Sequence, residues 1–158
     1  MNKLPIPTPA TRVYPIIEQF KARYDFPLDT FQIEAAQELL EGRSVLVTAP
    51  TGSGKTIVAE FAIFEALDRK LQVIYTTPLK ALSNQKYRDL LEHYPEDQVG
   101  LVTGDVSVNP GASVVVMTTE ILRNILYQNP HRLDSVLYIV VDECHYMNDM
   151  DRGTVWEE

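Results

Sequence analysis

The sequence predicts an α/β fold, with a parallel sheet covered by helices on both faces. Short apolar runs rich in β-branched residues recur near 44–48, 72–76, 99–102, 113–117 and 137–141. Helical patterns separate most of these runs, at 55–68, 80–93 and 119–127. Strands that are apolar throughout and alternate with helices are typical of a parallel sheet that is buried on both sides.

The composition favours a globular protein outside the membrane. The chain has 158 residues, of which 45% are hydrophobic and 23% charged, enough for a packed core. Its longest apolar run, Val136 to Val141, is far shorter than the ~18 residues that span a bilayer. Cys144 is the single cysteine, so no internal disulfide is possible. We therefore expect a cytoplasmic protein with no membrane partner.

The N-terminal part is predicted to contain a leader and two helices. Residues 1–13 are rich in Pro and Thr and are expected to form a flexible leader. A first helix opens at Tyr14-Pro15, and a second, capped by Asp29 or Thr30, runs to Gly42. The remaining residues, 14–158, are expected to form one domain. Because its last residues resemble the first turn of a helix, we expect the domain to be truncated at its C-terminus.

A phosphate-binding loop is predicted between the first apolar run and the helix at 55–68. Glycines in this loop let backbone N–H groups turn toward phosphate oxygens, and the helix N-terminus adds its dipole. Lys55 is expected to contact the β- and γ-phosphates of ATP, and Thr56 to hold Mg²⁺. Ala49 departs from the strict pattern, which begins with glycine. The predicted loop comprises Ala49, Pro50, Thr51, Gly52, Ser53, Gly54, Lys55 and Thr56.

Two carboxylates follow the last apolar run. Asp142 and Glu143 come directly after the strand predicted at 137–141. A carboxylate at the carboxyl end of such a strand can hold Mg²⁺, and its neighbour can deprotonate an attacking water. We therefore expect Asp142 to be a metal ligand and Glu143 a general base.

The charge balance limits how nucleic acid could be bound. The net charge is −8, whereas broad nucleic-acid surfaces are basic. Any contact would have to use backbone N–H groups, helix N-termini and a few local cations.

Several segments together resemble one helicase family. Asp142-Glu143-Cys144-His145 resembles motif II of superfamily-two helicases, and residues 76–87 resemble their motif Ia. Further matches are the adenine-reading segment 28–32, the strand-end motifs 103–105 and 118–123, and the Arg-Gly-x-Val-Trp-Glu-Glu segment 152–158. Across residues 24 to 158 the chain is similar to superkiller-like DExH-box RNA helicases of bacterial or chloroplast type.

The resemblance implies a RecA-like fold, an incomplete first helicase lobe and roles for particular residues. Gln32 would hydrogen-bond the adenine edge. Phe26 would stack on the adenine face, and Tyr24 is the alternative candidate for this stacking. Lys55, Asp142 and Glu143 would be catalytic, and His145 would link nucleotide state to neighbouring motifs. Positions that resemble nucleic-acid contacts are Thr77, Pro78, Lys80, Gly104, Asp105, Thr118 and Thr119.

The implied partners are RNA and a second RecA-like lobe that supplies an arginine finger. In this class a further strand lies between the strand before the phosphate loop and the strand before motif II, and we expect it after Glu158. Residues 1–158 alone are therefore expected to fold poorly and not to unwind RNA. Two alternatives stay open, a DNA-directed helicase of the same superfamily and a non-catalytic nucleotide-binding fragment. A transport ATPase is less favoured because the sequence has no Leu-Ser-Gly-Gly-Gln signature.

Overall fold

Residues 14–48 and 54–143 are described by a computed structural model of the chain. The chain divides into two compact units between Glu65 and Ala66. The first unit contains the helices α1 (Pro15–Lys21) and α2 (Thr30–Leu40) and the beginning of α3 (Lys55–Asp68). Their apolar faces meet in one cluster. Its buried members are Ile17, Phe20, Ala36 and Phe61.

In the described residues of the second unit, a five-stranded sheet lies with two complete α-helices. In chain order its elements are β1 (Gln72–Thr77), α4 (Lys80–Leu91), β2 (Val99–Val102), β3 (Ser107–Val108), β4 (Val114–Thr118), α5 (Thr119–Gln128) and β5 (Val136–Val141). Single 3₁₀ turns precede β2 and β5, at Glu96–Gln98 and Pro130–Leu133. The strand order is β3-β2-β4-β1-β5, and only β3 runs antiparallel to its neighbour.

Helices cover both faces of this sheet, as the sequence predicts. Successive side chains of a strand point to opposite faces. Ile74 of β1 belongs to the cluster that contains Leu122 and Ile125 of α5. The next residue, Tyr75, lies on the other face, where Lys86 of α4 contacts its ring. A strand buried on both sides can therefore be apolar throughout, which explains the continuous runs in the sequence.

The predicted helices are confirmed to within about two residues. Helix α3 has the predicted bounds, α4 ends slightly earlier than expected, and α5 ends one residue later. No helix in the described part of the chain is long and apolar enough to cross a membrane. The predicted leader, residues 1–13, and the predicted helical turn at 154–158 lie outside the described residues.

The strand predicted at 44–48 is wrong. These residues are irregular, and the side chain of Leu46 is 77% exposed. A strand is stable only when neighbouring strands take up its backbone hydrogen bonds. Within the described ranges no strand pairs with residues 44–48, and β5 pairs with β1 alone. Apolar β-branched composition without a pairing partner does not make a strand.

Strand β3 was not predicted from the sequence. This strand has only two residues, both exposed, so it carries no apolar run and no alternation. It forms because the chain after β2 turns back and pairs with it, matching Leu101 with Val108 and Val102 with Ser107.

Candidate functional site

The parallel strands bring nine of the predicted site residues to one edge of the sheet. Because β1, β2, β4 and β5 all run in the same direction, their carboxyl ends lie at a common edge. Ligands of open α/β sheets bind at this edge. The predicted residues that follow these strand ends or complete them are Thr77, Pro78, Lys80, Gly104, Asp105, Thr118, Thr119, Asp142 and Glu143.

Asp142 is fixed by three hydrogen bonds as it leaves β5. Its backbone N–H donates to the carbonyl oxygen of Thr76 at 3.0 Å, which continues the pairing with β1. Its Oδ1 accepts from the backbone N–H of Glu143 at 2.9 Å, and its Oδ2 accepts from the hydroxyl of Tyr75. Each carboxylate oxygen has two lone pairs, so each keeps one that can bind a cation.

Tyr75 is a residue of this site that the sequence analysis missed. Its side chain is only 3% exposed, and the ammonium group of Lys86 lies 4.7 Å from the centre of its ring. Burial raises the pKa of the Tyr75 hydroxyl, and the hydrogen bond to Asp142 raises it further. The hydroxyl is therefore a permanent donor at neutral pH. A tyrosine in the middle of a strand predicted to be buried on both faces was the available signal, since a buried phenol needs a polar partner.

Glu143 has an unusual backbone conformation. Its φ angle is +58°, in the left-handed region that few non-glycine residues adopt. Backbone strain of this kind concentrates at active sites, where the surrounding structure holds it in place. The Glu143 side chain is half-buried.

The threonines at the edge use their side chains to fasten the two helices. Thr77 is buried, and its hydroxyl lies 2.7 Å from that of Ser83 on α4. Thr118 accepts a hydrogen bond from the N–H of Ile121 at 3.4 Å and so caps α5. Thr119 bonds the Thr77 carbonyl oxygen at 3.3 Å. Nucleic-acid contacts at these threonines stay a prediction, and they would use backbone groups or helix N-termini.

At the same edge, Lys80 at the start of α4 forms an ion pair with Asp105 in the loop between β2 and β3. The Nζ atom of Lys80 lies 2.8 Å from Oδ2 of Asp105, and both side chains are more than half exposed. Gly104 lies beside this pair, because a Cβ atom built on it would be 3.6 Å from the Lys80 Nζ. An exposed pair of this kind contributes little to stability, so a phosphate could replace the carboxylate at low cost.

In the first unit, Gln32 joins α2 to the end of the predicted phosphate loop. Its side chain is 4% exposed. The Oε1 atom accepts from the N–H of Asp29 at 2.8 Å, and Nε2 donates to the carbonyl oxygen of Gly54 at 3.1 Å. One N–H and one lone pair of the amide remain for a ligand.

Gly54 is required by this arrangement. Its φ angle is +75°, and a Cβ atom there would lie 2.3 Å from the Nε2 of Gln32. Lys55 and Thr56 follow it as the first residues of α3, and both are exposed. A lysine and a hydroxyl at an exposed helix N-terminus are suited to an anion with its counter-ion.

The two aromatic candidates for adenine stacking differ in exposure. Phe26 is 50% exposed. Tyr24 is partly buried, donates its hydroxyl to Glu60 and packs edge-on against Phe20, with ring centres 5.3 Å apart. Phe26 therefore offers the more accessible ring face.

The remaining predicted site residues are Ala49, Pro50, Thr51, Gly52, Ser53 and His145, which lie outside the described residues. Within the part of the chain that the structure describes, no group of three His, Cys, Asp or Glu side chains is arranged to hold a metal ion.

One protein family matches most of the chain. The DEAD/DEAH box helicase family matches residues 29–158, a range that includes Gln32, the predicted phosphate loop and Asp142-Glu143. The chain belongs to the DEAD/DEAH box helicases. Individual members of the family that are similar to it fall in the superkiller-like group that the sequence motifs indicate.

The antiviral helicase SKI2 of Saccharomyces cerevisiae is 52% identical over 135 residues. The human exosome RNA helicase MTR4 is 51% identical over 144 residues. These alignments cover 85% and 91% of the chain, which spans 10% and 14% of the two relatives. A crystal structure of a hypothetical ATP-dependent RNA helicase from Sulfolobus tokodaii has a TM-score of 0.62 and 25% identity over 90% of the chain and 45% of its own. The RecA-like fold and the superkiller-like resemblance are confirmed.

Proposed function

We propose that the full-length protein is an ATP-dependent RNA helicase and that this chain contributes to its ATP-binding first lobe. The observation that carries the proposal is the fixed Asp142 carboxylate, followed by Glu143, at the sheet edge where the nucleic-acid candidates also lie. Membership of the DEAD/DEAH box helicases supports the nucleotide chemistry. The similarity to an exosome RNA helicase supports RNA as the substrate.

The residues present fit Mg²⁺ and ATP. Asp142 and the hydroxyl of Thr56 would hold Mg²⁺, which neutralises charge on the phosphates when it is bound. Lys55 would bind the β- and γ-phosphates at the N-terminus of α3. The half-buried Glu143 would take a proton from the water that attacks the γ-phosphorus, and the bond to the β–γ bridging oxygen would break. We also propose that Gln32 and the exposed Phe26 bind the adenine.

The loops of the carboxyl edge are our candidates for the RNA site. The N-termini of α4 and α5 lie there, and both can donate backbone N–H groups to phosphates. Lys80 supplies a local cation, which is held by Asp105. Together they offer a way for an acidic chain to bind a polyanion.

Glu143→Gln in the full-length protein tests the chemistry. We expect ATP turnover to fall by about 100-fold or more, because the base is lost, while ATP still binds. Lys55→Ala should weaken both binding and turnover. Steady-state hydrolysis with single-stranded RNA, together with equilibrium nucleotide binding, measures the two effects. Glu96→Gln, at an exposed glutamate before β2, is the control and should leave both unchanged.

The same assays separate the competing functions. Turnover that rises with RNA and not with DNA supports the proposal. Stimulation by DNA alone would point instead to the DNA-directed alternative. A wild-type protein that binds ATP and does not hydrolyse it would support the non-catalytic alternative.

Asp105→Asn tests the RNA edge. It removes a carboxylate that is 73% exposed and leaves Lys80 available to phosphate. We expect RNA to bind more tightly by up to about fivefold, which corresponds to the free energy of a single exposed ion pair. Asp134→Asn is the control, since Asp134 is similarly exposed and pairs with His131 before β5, at the opposite edge of the sheet. Weaker RNA binding by Asp105→Asn would contradict this site.

A further inference from the structure

Tyr75 connects helix α4 with the carboxylate that precedes the general base. Its hydroxyl donates to Oδ2 of Asp142, 67 residues later in the chain, and its ring lies under the ammonium group of Lys86. The ring is buried in the sheet, so its position is set by packing. The hydroxyl therefore reaches Asp142 from a rigid support.

A cation ligand needs such support. The groups that hydrogen-bond to a ligating carboxylate fix its orientation and tune its affinity for the metal. Asp142 has two such groups, the N–H of Glu143 on Oδ1 and the hydroxyl of Tyr75 on Oδ2. The first belongs to a residue with a strained, left-handed backbone conformation, whereas the second belongs to a buried strand. The Tyr75 hydroxyl is thus the more rigid of the two anchors.

We propose that Tyr75 is a positioning residue for the cation ligand Asp142. Its hydroxyl holds Oδ2 in one direction, so that the remaining lone pairs of the carboxylate point consistently at the cation. Lys86 holds the ring in place from α4, through a cation–π contact. The proposal rests on the proposed function, because it requires Asp142 to bind Mg²⁺.

A purely structural role makes a different prediction. A buried phenol needs a hydrogen-bond partner, and Asp142 could serve only that need. Removing the hydroxyl would then change the stability of the protein and leave its affinity for the cation unchanged. The two roles are therefore separated by measuring cation binding directly.

Tyr75→Phe in the full-length protein is the test, with Tyr14→Phe as its control. Both changes remove a tyrosine hydroxyl that donates to a carboxylate, in the control to Glu41 at 2.7 Å. The first readout is Mn²⁺ binding in the presence of ADP, followed by electron paramagnetic resonance. The second is the Mg²⁺ concentration that gives half-maximal ATP turnover. We expect Tyr75→Phe to weaken both by about tenfold, and Tyr14→Phe to change neither.

Each outcome decides between the roles. Wild-type Mn²⁺ affinity in a folded Tyr75→Phe protein would overturn the proposal. If Tyr75→Phe does not fold, Lys86→Met decides, because it keeps the packing on the ring and removes the charge. Weaker Mn²⁺ binding by Lys86→Met would support the proposal, and unchanged binding would overturn it.

Asp142→Asn distinguishes this proposal from the proposed function. If Asp142→Asn binds Mn²⁺ as the wild type does, Asp142 is not the ligand, and the assignment of the cation site fails together with the role of Tyr75. If Asp142→Asn loses Mn²⁺ and Tyr75→Phe keeps it, only the role of Tyr75 fails.

Discussion

At the scale of single residues, the side chain of Gln32 has a structural role, and we propose that it also binds adenine. Its amide already bonds the N–H of Asp29 and the carbonyl oxygen of Gly54, so it fixes the start of α2 and the end of the predicted phosphate loop. The same amide would read adenine with its remaining N–H and lone pair. The two roles are compatible, because they use different donor and acceptor positions of the Gln32 amide.

Gln32→Ala separates the structural role from adenine binding. We expect the free energy of unfolding to fall by about 1–3 kcal/mol, because two backbone groups lose their partner. We also expect the preference for ATP over GTP to fall, because a base with the wrong pattern no longer leaves a buried amide unpaired. Thermal unfolding and nucleotide competition measure the two effects.

Gln37→Ala is the matched control for Gln32→Ala. Gln37 lies on the same helix and is also 4% exposed, and its Oε1 has no hydrogen-bond partner among the described residues. Its removal should leave the ATP preference unchanged. If Gln32→Ala keeps the full preference for ATP, the role of Gln32 is structural.

Among the elements, the β2–β3 hairpin determines where Gly104 and Asp105 lie. The N–H of Thr103 donates to the Val106 carbonyl oxygen at 2.8 Å, and this closes the turn. Gly100 of β2 lies against the other end of the hairpin, and a Cβ atom there would be 2.2 Å from the carbonyl oxygen of Asn109. Backbone atoms cause this conflict, so no side-chain rotation relieves it.

Gly100→Ala is therefore expected to lower the free energy of unfolding by about 1–3 kcal/mol, the usual cost of overpacking. The hairpin should also move, and RNA binding should weaken with the displacement of the loop. Gly111→Ala is the control, since a Cβ atom there meets nothing within 4 Å. Thermal unfolding of both variants provides the comparison, and equal stability would show that the hairpin accommodates the methyl group.

The elements that the sequence predicts well are those whose signal is local. Helix α3 and strands β1, β2, β4 and β5 appear as runs of the right period, and β1, β2 and β4 are buried along most of their length. Strand β5 is the least buried of these strands. Ile139 and Val141 are more than 40% exposed, and they lie on the same face of the sheet as Ile74. Its apolar composition still identifies it as a strand, although part of its side-chain surface is exposed.

Features that depend on distant residues were not predictable. The pairing of Tyr75 with Asp142 joins residues that are 67 positions apart, and no local pattern encodes it. Residues 44–48 are irregular because no strand among the described residues pairs with them. The local composition does not show whether a pairing strand is present. The hydroxyl of Thr77, a predicted nucleic-acid contact, also bonds the hydroxyl of Ser83 on α4, and the motif around Thr77 gives no sign of this contact.

At the scale of the whole molecule, the order of the strands in the sheet differs from their order in the chain. Strand β4 lies between β1 and β2 but is synthesised after both of them. At ribosomal rates of about 5–20 residues per second, β1 waits several seconds for its first neighbour. During that time its apolar side chains have no sheet to join, and β1 is accessible to a chaperone that binds short extended apolar segments.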